Sequence, residues 1–146
     1  MLFRSIRVRE GEDITLISTG ALLETSLQAA DLLAAKGIRA RVVSMHTLKP
    51  LDTEEVLAAA RETRAIATLE EHSVIGGLGG AVAEVLAESG ELAVPFKRLG
   101  LPSAFAPSAG SQEYLRARNG LSPESIVNSL QPLLETTRTL TSTVRT

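Results

Sequence analysis

The polar residues best placed for chemistry lie at the end of one predicted strand. Glu70, Glu71 and His72 close the apolar run 65–70, and a histidine beside carboxylates can act as a general base or a metal ligand. The only other histidine, His46, follows a different predicted strand, and the spacing of the two matches no metal motif that we can name. A hydrogen-bonding role that fixes the loop is therefore the simpler interpretation.

A glycine-rich turn comes next and opens a predicted helix. Such turns are typical of loops that hold phosphate groups at a helix N-terminus. A dinucleotide fingerprint read from Gly77 and Gly79 would need Gly or Ala at position 82, where Val82 stands, and the Lys-Ser/Thr ending of a Walker A loop is absent. We therefore favour a tight turn that lets the helix pack close to the sheet. Contact with an anion or with another subunit remains the alternative.

Composition excludes several classes of function. The chain has 146 residues, which suits one domain, and its aromatic content is three Phe, one Tyr and no Trp. Its net charge of -2 gives no electrostatic footprint for nucleic acid or for an anionic membrane. It has no cysteine, which excludes disulfides, zinc-thiolate sites and thiol catalysis and fits a reducing, cytoplasmic compartment.

Hydrophobic periodicity predicts the elements that must position these residues. Strand-helix units are expected at 14–36, 40–63 and 65–89, with Asp52 or Thr53 capping the second helix. A further strand at 95–99 begins with Pro95 and is expected at a sheet edge, and 5–9 is a second candidate edge strand. Helices are predicted at 111–119 and 122–134, and the Thr-rich stretch 135–146 is expected to be a disordered tail. Successive strand-helix units predict an α/β domain whose parallel sheet carries helices on both faces.

The combination of these segments resembles a known family. The stretches that carry the resemblance are TGALLETSLQAADLLAAKGI, VVSMHTLKPLD, TLEEHSVIGGLGGAVAEVL and RLGLPSAFAPSAGSQEYLRARNGLSPESIV. Together they are similar to the C-terminal domain of transketolases, and related domains end 1-deoxyxylulose-5-phosphate synthase and the β subunit of 2-oxoacid dehydrogenases. The resemblance covers residues 6–134, and the ending GLSPESIV favours transketolase, particularly its split-gene type.

The resemblance implies a definite fold. It predicts a three-layer α/β/α domain over residues 1–134, with a five-stranded mixed sheet in the order 1-3-2-4-5 and strand 1 antiparallel. In that order the connections reverse direction between strands 2 and 4, and ligands of open α/β sheets bind at such a point. The candidate anion or interface site is therefore made of Thr19, Gly20, Glu71, His72, Gly76 and Gly77.

The resemblance also implies a function for the parent protein. Transketolases work as dimers in the pentose phosphate pathway and hold thiamine diphosphate and Mg²⁺ in two domains that precede this one. No catalytic, cofactor-binding or metal-binding residue carries over to this sequence, so we expect a domain for stability and subunit contact. Because Met1 stands only a few residues before the first strand, we expect a truncated fragment or a natural subunit of a larger enzyme. The alternatives are an anion-binding regulatory module and a docking platform like the corresponding domain of the 2-oxoacid dehydrogenase β subunit.

Overall fold

The computed structural model describes residues 4–91, 93–104 and 109–143, with side chains to residue 137 at the C-terminal end. These residues form five strands and five helices. In chain order they are β1 (Ile6–Arg9), β2 (Ile14–Ser18), α1 (Leu22–Ala35), β3 (Ala40–Ser44), α2 (Thr53–Glu62), β4 (Ile66–Ser73), α3 (Leu78–Ser89), β5 (Phe96–Leu101), α4 (Gln112–Arg118) and α5 (Pro123–Thr143).

The five strands form one sheet in the order β1-β3-β2-β4-β5. Strand β1 pairs antiparallel with β3, and the remaining neighbours pair in parallel. This confirms the predicted order, the antiparallel first strand and the edge positions of β1 and β5. The chain passes from β2 to β3, which lies on one side of β2, and then crosses back to β4, which lies on the other side. The direction in which strands are added to the sheet therefore reverses between β2 and β4.

Two hydrophobic layers cover the two faces of the sheet. Strand β2 is buried on both faces, so Leu16 and Ile17 point into different layers. Leu16 packs with α1 and α5, and Ile17 packs with α2 and α3. The continuous apolar runs of the sequence come from strands that are buried on both faces, as the prediction of a parallel sheet required.

Asp52 joins the start of α2 to the start of β1. Its carboxylate accepts a hydrogen bond from the Glu55 backbone N–H at 3.2 Å, which confirms the predicted cap. The other carboxylate oxygen accepts bonds from the backbone N–H and the hydroxyl of Ser5, both at 2.8 Å. Burial alone would raise the pKa of Asp52, but these hydrogen bonds outweigh it and lower the pKa. The N-terminal strand is thereby fixed beside α2.

The last helix extends further than the sequence suggested. Helix α5 continues past residue 134 to Thr143, whereas we expected disorder from Glu135, and residues 144–146 lie outside the described part of the chain. The buried stripe continues from Leu130 and Leu134 to Thr137, whose hydroxyl donates to the Leu134 carbonyl. The prediction of disorder relied on the low apolar content of this stretch, and threonine is not counted as apolar although Thr137 is buried. Within the described residues no helix is long and apolar enough to cross a membrane.

Candidate functional site

Glu70 caps helix α3 from the neighbouring strand. Its side chain is 1% exposed, and its two carboxylate oxygens accept bonds from the backbone N–H groups of Leu78 at 2.8 Å and Gly79 at 2.9 Å. Gly77 at the N-cap has no side chain to do this, so the carboxylate satisfies two of the amide donors that every helix N-terminus leaves free. The negative charge also lies at the positive end of the helix dipole.

The glycines of the turn allow close contacts or an unusual backbone conformation. A methyl group on Gly77 would collide with the Glu70 carboxylate and would lie 2.9 Å from Nδ1 of His72. At Gly79 it would lie 2.7 Å from the Arg98 side chain. Gly76 has a φ of 75°, a conformation that residues with a side chain rarely adopt. The geometry agrees with a tight turn that brings the helix against the sheet.

His72 lies on the outer side of this turn. Its side chain is 63% exposed, and its Nδ1 lies 2.9 Å from the Ser73 carbonyl oxygen and 3.8 Å from Oε2 of Glu70. Its ring therefore contacts the backbone of the loop and approaches the buried carboxylate. This arrangement fits the loop-fixing role that the sequence suggested.

Glu71 points away from this group and holds helix α4. Side chains alternate along a strand, so Glu71 faces the opposite side of the sheet from Glu70. Its carboxylate accepts bonds from Nε2 of Gln112 at 3.0 and 2.9 Å and from Nη2 of Arg116 at 2.7 Å. The hydrogen bond from Arg116 lowers the pKa of Glu71, burial opposes this, and the bond from Gln112 lowers it further.

The remaining predicted residues lie at the end of β2. The Thr19 backbone N–H donates to the Leu69 carbonyl at 3.2 Å, which joins β2 to β4. Gly20 has a φ of 60°, and its carbonyl accepts from the Leu23 N–H at 3.3 Å at the start of α1. The structure thus brings His72 and Gly77 together beside Glu70, with Gly76 in the same turn. Thr19 and Gly20 instead form the turn after β2, and Glu71 holds α4.

Sequence reasoning did not find the partners of the two glutamates. Gln112 and Arg116 follow Glu71 by more than forty positions, and no local pattern marks them as its partners. The sequence does indicate that α3 needs a cap from elsewhere, because a helix that begins with glycines has no N-cap side chain of its own. Glu70, eight residues before Leu78, is the acidic residue that supplies it.

A cleft of about 540 Å³ lies between α1, α4 and α5, beside Arg116. Three glutamates line it, Glu24, Glu113 and Glu124, against the single guanidinium of Arg116. This excess of negative charge does not suit an anionic ligand. Among the described residues, no three His, Asp or Glu side chains come together to form a metal site.

The comparison with known families decides the relationship. The family model described as "Transketolase, C-terminal domain" matches residues 4–126. The chain belongs to the transketolase C-terminal domain family. A solved structure described as "Split gene transketolase, inactive beta4 tetramer" is 42% identical with a TM-score of 0.83, over 90% of this chain and 42% of that one.

Two curated relatives show the range of this family. The 6-deoxy-6-sulfo-D-fructose transketolase subunit SqwH of Clostridium sp. (strain MSTE9) is 42% identical over 88% of this chain. The 1-deoxy-D-xylulose-5-phosphate synthase 1 of Geobacter sulfurreducens is 43% identical over 86% of it. The chain spans only 39% and 20% of the lengths of these two proteins, so it corresponds to one part of each of them.

Proposed function

We propose that this chain is the C-terminal contact domain of a transketolase-like enzyme that transfers a two-carbon ketol unit between sugar phosphates. The observation that carries the proposal is the match of the transketolase C-terminal family over residues 4–126. The split-gene transketolase and the SqwH subunit, each 42% identical, support transketolase as the parent type. We place the parent in the cytoplasm and in the pentose phosphate pathway, as the resemblance implies.

The glycine turn of this domain does not suit the diphosphate group of the cofactor that such an enzyme uses. A diphosphate needs free amide donors or cations, but Glu70 already occupies the Leu78 and Gly79 amides at the glycine turn. A second anion there would face the buried carboxylate. We therefore assign thiamine diphosphate and Mg²⁺ to other domains of the parent enzyme and give this chain no catalytic residue. The candidate site around the glycine turn then stabilises the domain or contacts another subunit.

The partner that we propose is the cofactor-binding part of the same enzyme. A neighbour described as a tetramer of one split-gene subunit supports an oligomeric parent. A homodimer is the expected form if all domains lie on one chain, and a heterotetramer if they are split over two. Sedimentation of the parent protein measures this directly.

Activity measurements test the proposal. The purified chain, supplied with thiamine diphosphate, Mg²⁺, a ketose phosphate donor and an aldose phosphate acceptor, should show no ketol transfer. The complete parent protein should transfer the ketol unit under the same conditions, and the parent without residues 4–134 is the control. Activity of the isolated chain would refute the contact role, and a complete protein that released CO₂ from a 2-oxo acid instead would contradict the transketolase assignment.

A further inference from the structure

The two edge strands of the sheet are attached to the rest of the domain in different ways. Strand β5, at one edge, contributes Leu99 and Leu101 to one hydrophobic layer and Phe96 to the other. Strand β1, at the opposite edge, has no buried residue, and its two apolar side chains, Ile6 and Val8, are 58% and 45% exposed. Little burial of apolar area therefore holds β1 against the domain.

Ion pairs attach β1 to the helices on both faces of the sheet. Three arginines occur within residues 4–9, and the guanidinium group of each reaches a carboxylate on α1 or α2. Between them, Ser5 donates two hydrogen bonds to the carboxylate of Asp52. The ion pairs are Arg4 with Glu54 at 3.0 Å, Arg7 with Glu55 at 2.7 Å and Arg9 with Asp31 at 2.5 Å. We call these three contacts the β1 ion pairs.

The β1 ion pairs differ in their exposure to water. The side chains of Glu54 and Asp31 are largely exposed, so dissolved salt screens the two pairs that they form. The side chain of Glu55 is only 14% exposed, so its bond to Arg7 is screened less and contributes more. The attachment of β1 therefore depends on charge and weakens, in part, as the ionic strength rises.

A second arginine lies beside Arg7 and shares one of its carboxylates. Nη2 of Arg41, on β3, lies 2.8 Å from Oε2 of Glu62, and Nη1 of Arg7 lies 3.3 Å from the same oxygen. The Arg41 side chain is 5% exposed, so its charge needs this partner. If β1 opens, Arg41 keeps Glu62 and is freed from the repulsion of Arg7. Opening of β1 therefore leaves no buried charge without its carboxylate.

The rest of the sheet does not need β1 to stay folded. The ladder between β1 and β3 has three residue pairs and is interrupted by an irregularity between Arg7 and Arg9. Strand β3 pairs with β2 over five residues, and Val42 and Val43 anchor it in the two hydrophobic layers. Segments with few apolar contacts open at a lower free energy than the core, as separate units.

We propose that β1 is a separately opening unit of this fold, which the β1 ion pairs hold closed and which rising ionic strength releases. The parallel strands β2 to β5 and the helices on both faces stay folded when it opens. The opening needs no substrate and no cofactor, so it is independent of the function proposed above.

Amide hydrogen exchange of the whole chain, followed by NMR at neutral pH, tests the proposal. The hydrogen-bonded amides between β1 and β3 should exchange faster than those between β2 and β4 by roughly tenfold or more. Their exchange should respond weakly to low concentrations of urea, because opening of β1 exposes little surface. Raising NaCl from about 0.05 M to about 0.5 M should increase the β1 rates by about threefold.

Two variants separate charge from apolar contact as the cause. Glu55→Gln keeps the shape of the side chain but removes the charged partner of Arg7, so the β1 amides should exchange about tenfold faster. Ile6→Thr is the control, because it replaces an exposed apolar side chain with another β-branched one. Its β1 rates should stay within about twofold of the wild type.

The opposite results overturn the proposal. A urea dependence of the β1 amides equal to that of the β2 amides would show that β1 opens only when the whole domain unfolds. Rates that do not change with NaCl would refute release by ionic strength. Equal effects of Glu55→Gln and Ile6→Thr would show that charge does not hold the strand. The urea and NaCl measurements use the wild type, so they decide the proposal even if a variant does not fold.

Discussion

Glu70 accepts hydrogen bonds from backbone N–H groups of the kind that bind phosphate at other helix N-termini. Two backbone N–H groups at the start of α3 donate to its carboxylate, and Gly77 beside it leaves no room for a side chain. The same features that bind anions at helix N-termini are here used within the molecule. We therefore interpret the glycine-rich turn as a packing feature. Substitution of single glycines measures how much each one contributes to stability.

Gly77 should not tolerate even a methyl group. Gly77→Ala places a methyl group against the Glu70 carboxylate, so the cap must move and leave buried N–H groups without an acceptor. We expect the free energy of unfolding to fall by about 2–3 kcal/mol. Urea denaturation followed by circular dichroism measures it.

Gly80 provides the matched control three residues further along α3. A methyl group there meets nothing within 4 Å, and alanine is the better helix former. Gly80→Ala should raise the free energy of unfolding by up to about 1 kcal/mol. Equal effects at the two positions would show that the close contact at Gly77 does not exist.

At the scale of elements, Glu71 attaches helix α4 to the end of β4. Helix α4 has seven residues and none of them is buried, so it has little apolar area to hold it in place. Short helices of this kind depend on tertiary contacts for their stability. The bonds from Gln112 and Arg116 to Glu71 supply such a contact, and its strength depends on the charge of one carboxylate.

The attachment of α4 should weaken in acid. Since the pKa of Glu71 is lower in the folded protein than its ordinary value of 4.5, the unfolded chain binds the proton more tightly. Its contribution to stability is therefore complete above pH 4.5 and is lost as the pH falls through the lower pKa of the folded state. Urea midpoints between pH 7 and pH 3 measure this loss.

Glu71→Gln isolates the contribution of this carboxylate. At pH 7 the variant should be less stable than the wild type by about 1 kcal/mol, because the bond from Arg116 loses its charged acceptor. The difference should shrink below pH 4.5, where the wild type loses the same charge. Glu88→Gln, on an exposed residue of α3, should follow the wild type throughout. A constant difference between Glu71→Gln and the wild type would contradict the role of this ion pair.

The described part of the molecule is one five-stranded sheet whose two faces are each buried under a layer of helices. Helix α5 contributes Ile126, Val127 and Leu130 to the layer that it shares with α1, so this layer depends on the C-terminal part of the chain. The domain boundary that we predict at residue 134 lies within α5, which continues to Thr143. The boundary remains a prediction.

Truncation tests this boundary. Removal of residues 135–146 should preserve one cooperative unfolding transition with a loss on the order of 1 kcal/mol, since Thr137 is the last described buried side chain. Removal of residues 122–146 should abolish folding, because it removes four buried apolar side chains, Ile126, Val127, Leu130 and Leu134. At about 2–5 kcal/mol for each large one, their loss approaches the whole stability of a domain. Thermal denaturation followed by circular dichroism distinguishes the two. Loss of the cooperative transition in the shorter truncation would move the boundary beyond residue 134.

The sequence by itself determined the elements and their class. Short apolar runs, one of them bounded by Gly11 and Gly20, mark the buried strands, and the pair Asp52 and Thr53 marks the start of α2. These signals are local, because burial on both faces and helix capping each act over a few neighbouring residues. Motif resemblance supplied the strand order and the antiparallel β1, and the sheet confirms both.

Tertiary structure decided what the polar residues do. Glu70, Glu71 and His72 are adjacent in sequence, yet one carboxylate caps α3 and the next holds α4 from the opposite face of the sheet. The alternation along a strand separates them, and their partners come from segments eight to forty-five residues away. No local pattern contains that information, because a hydrogen-bond partner is set by how the elements pack. The carboxylates beside the histidine therefore bind parts of the domain itself.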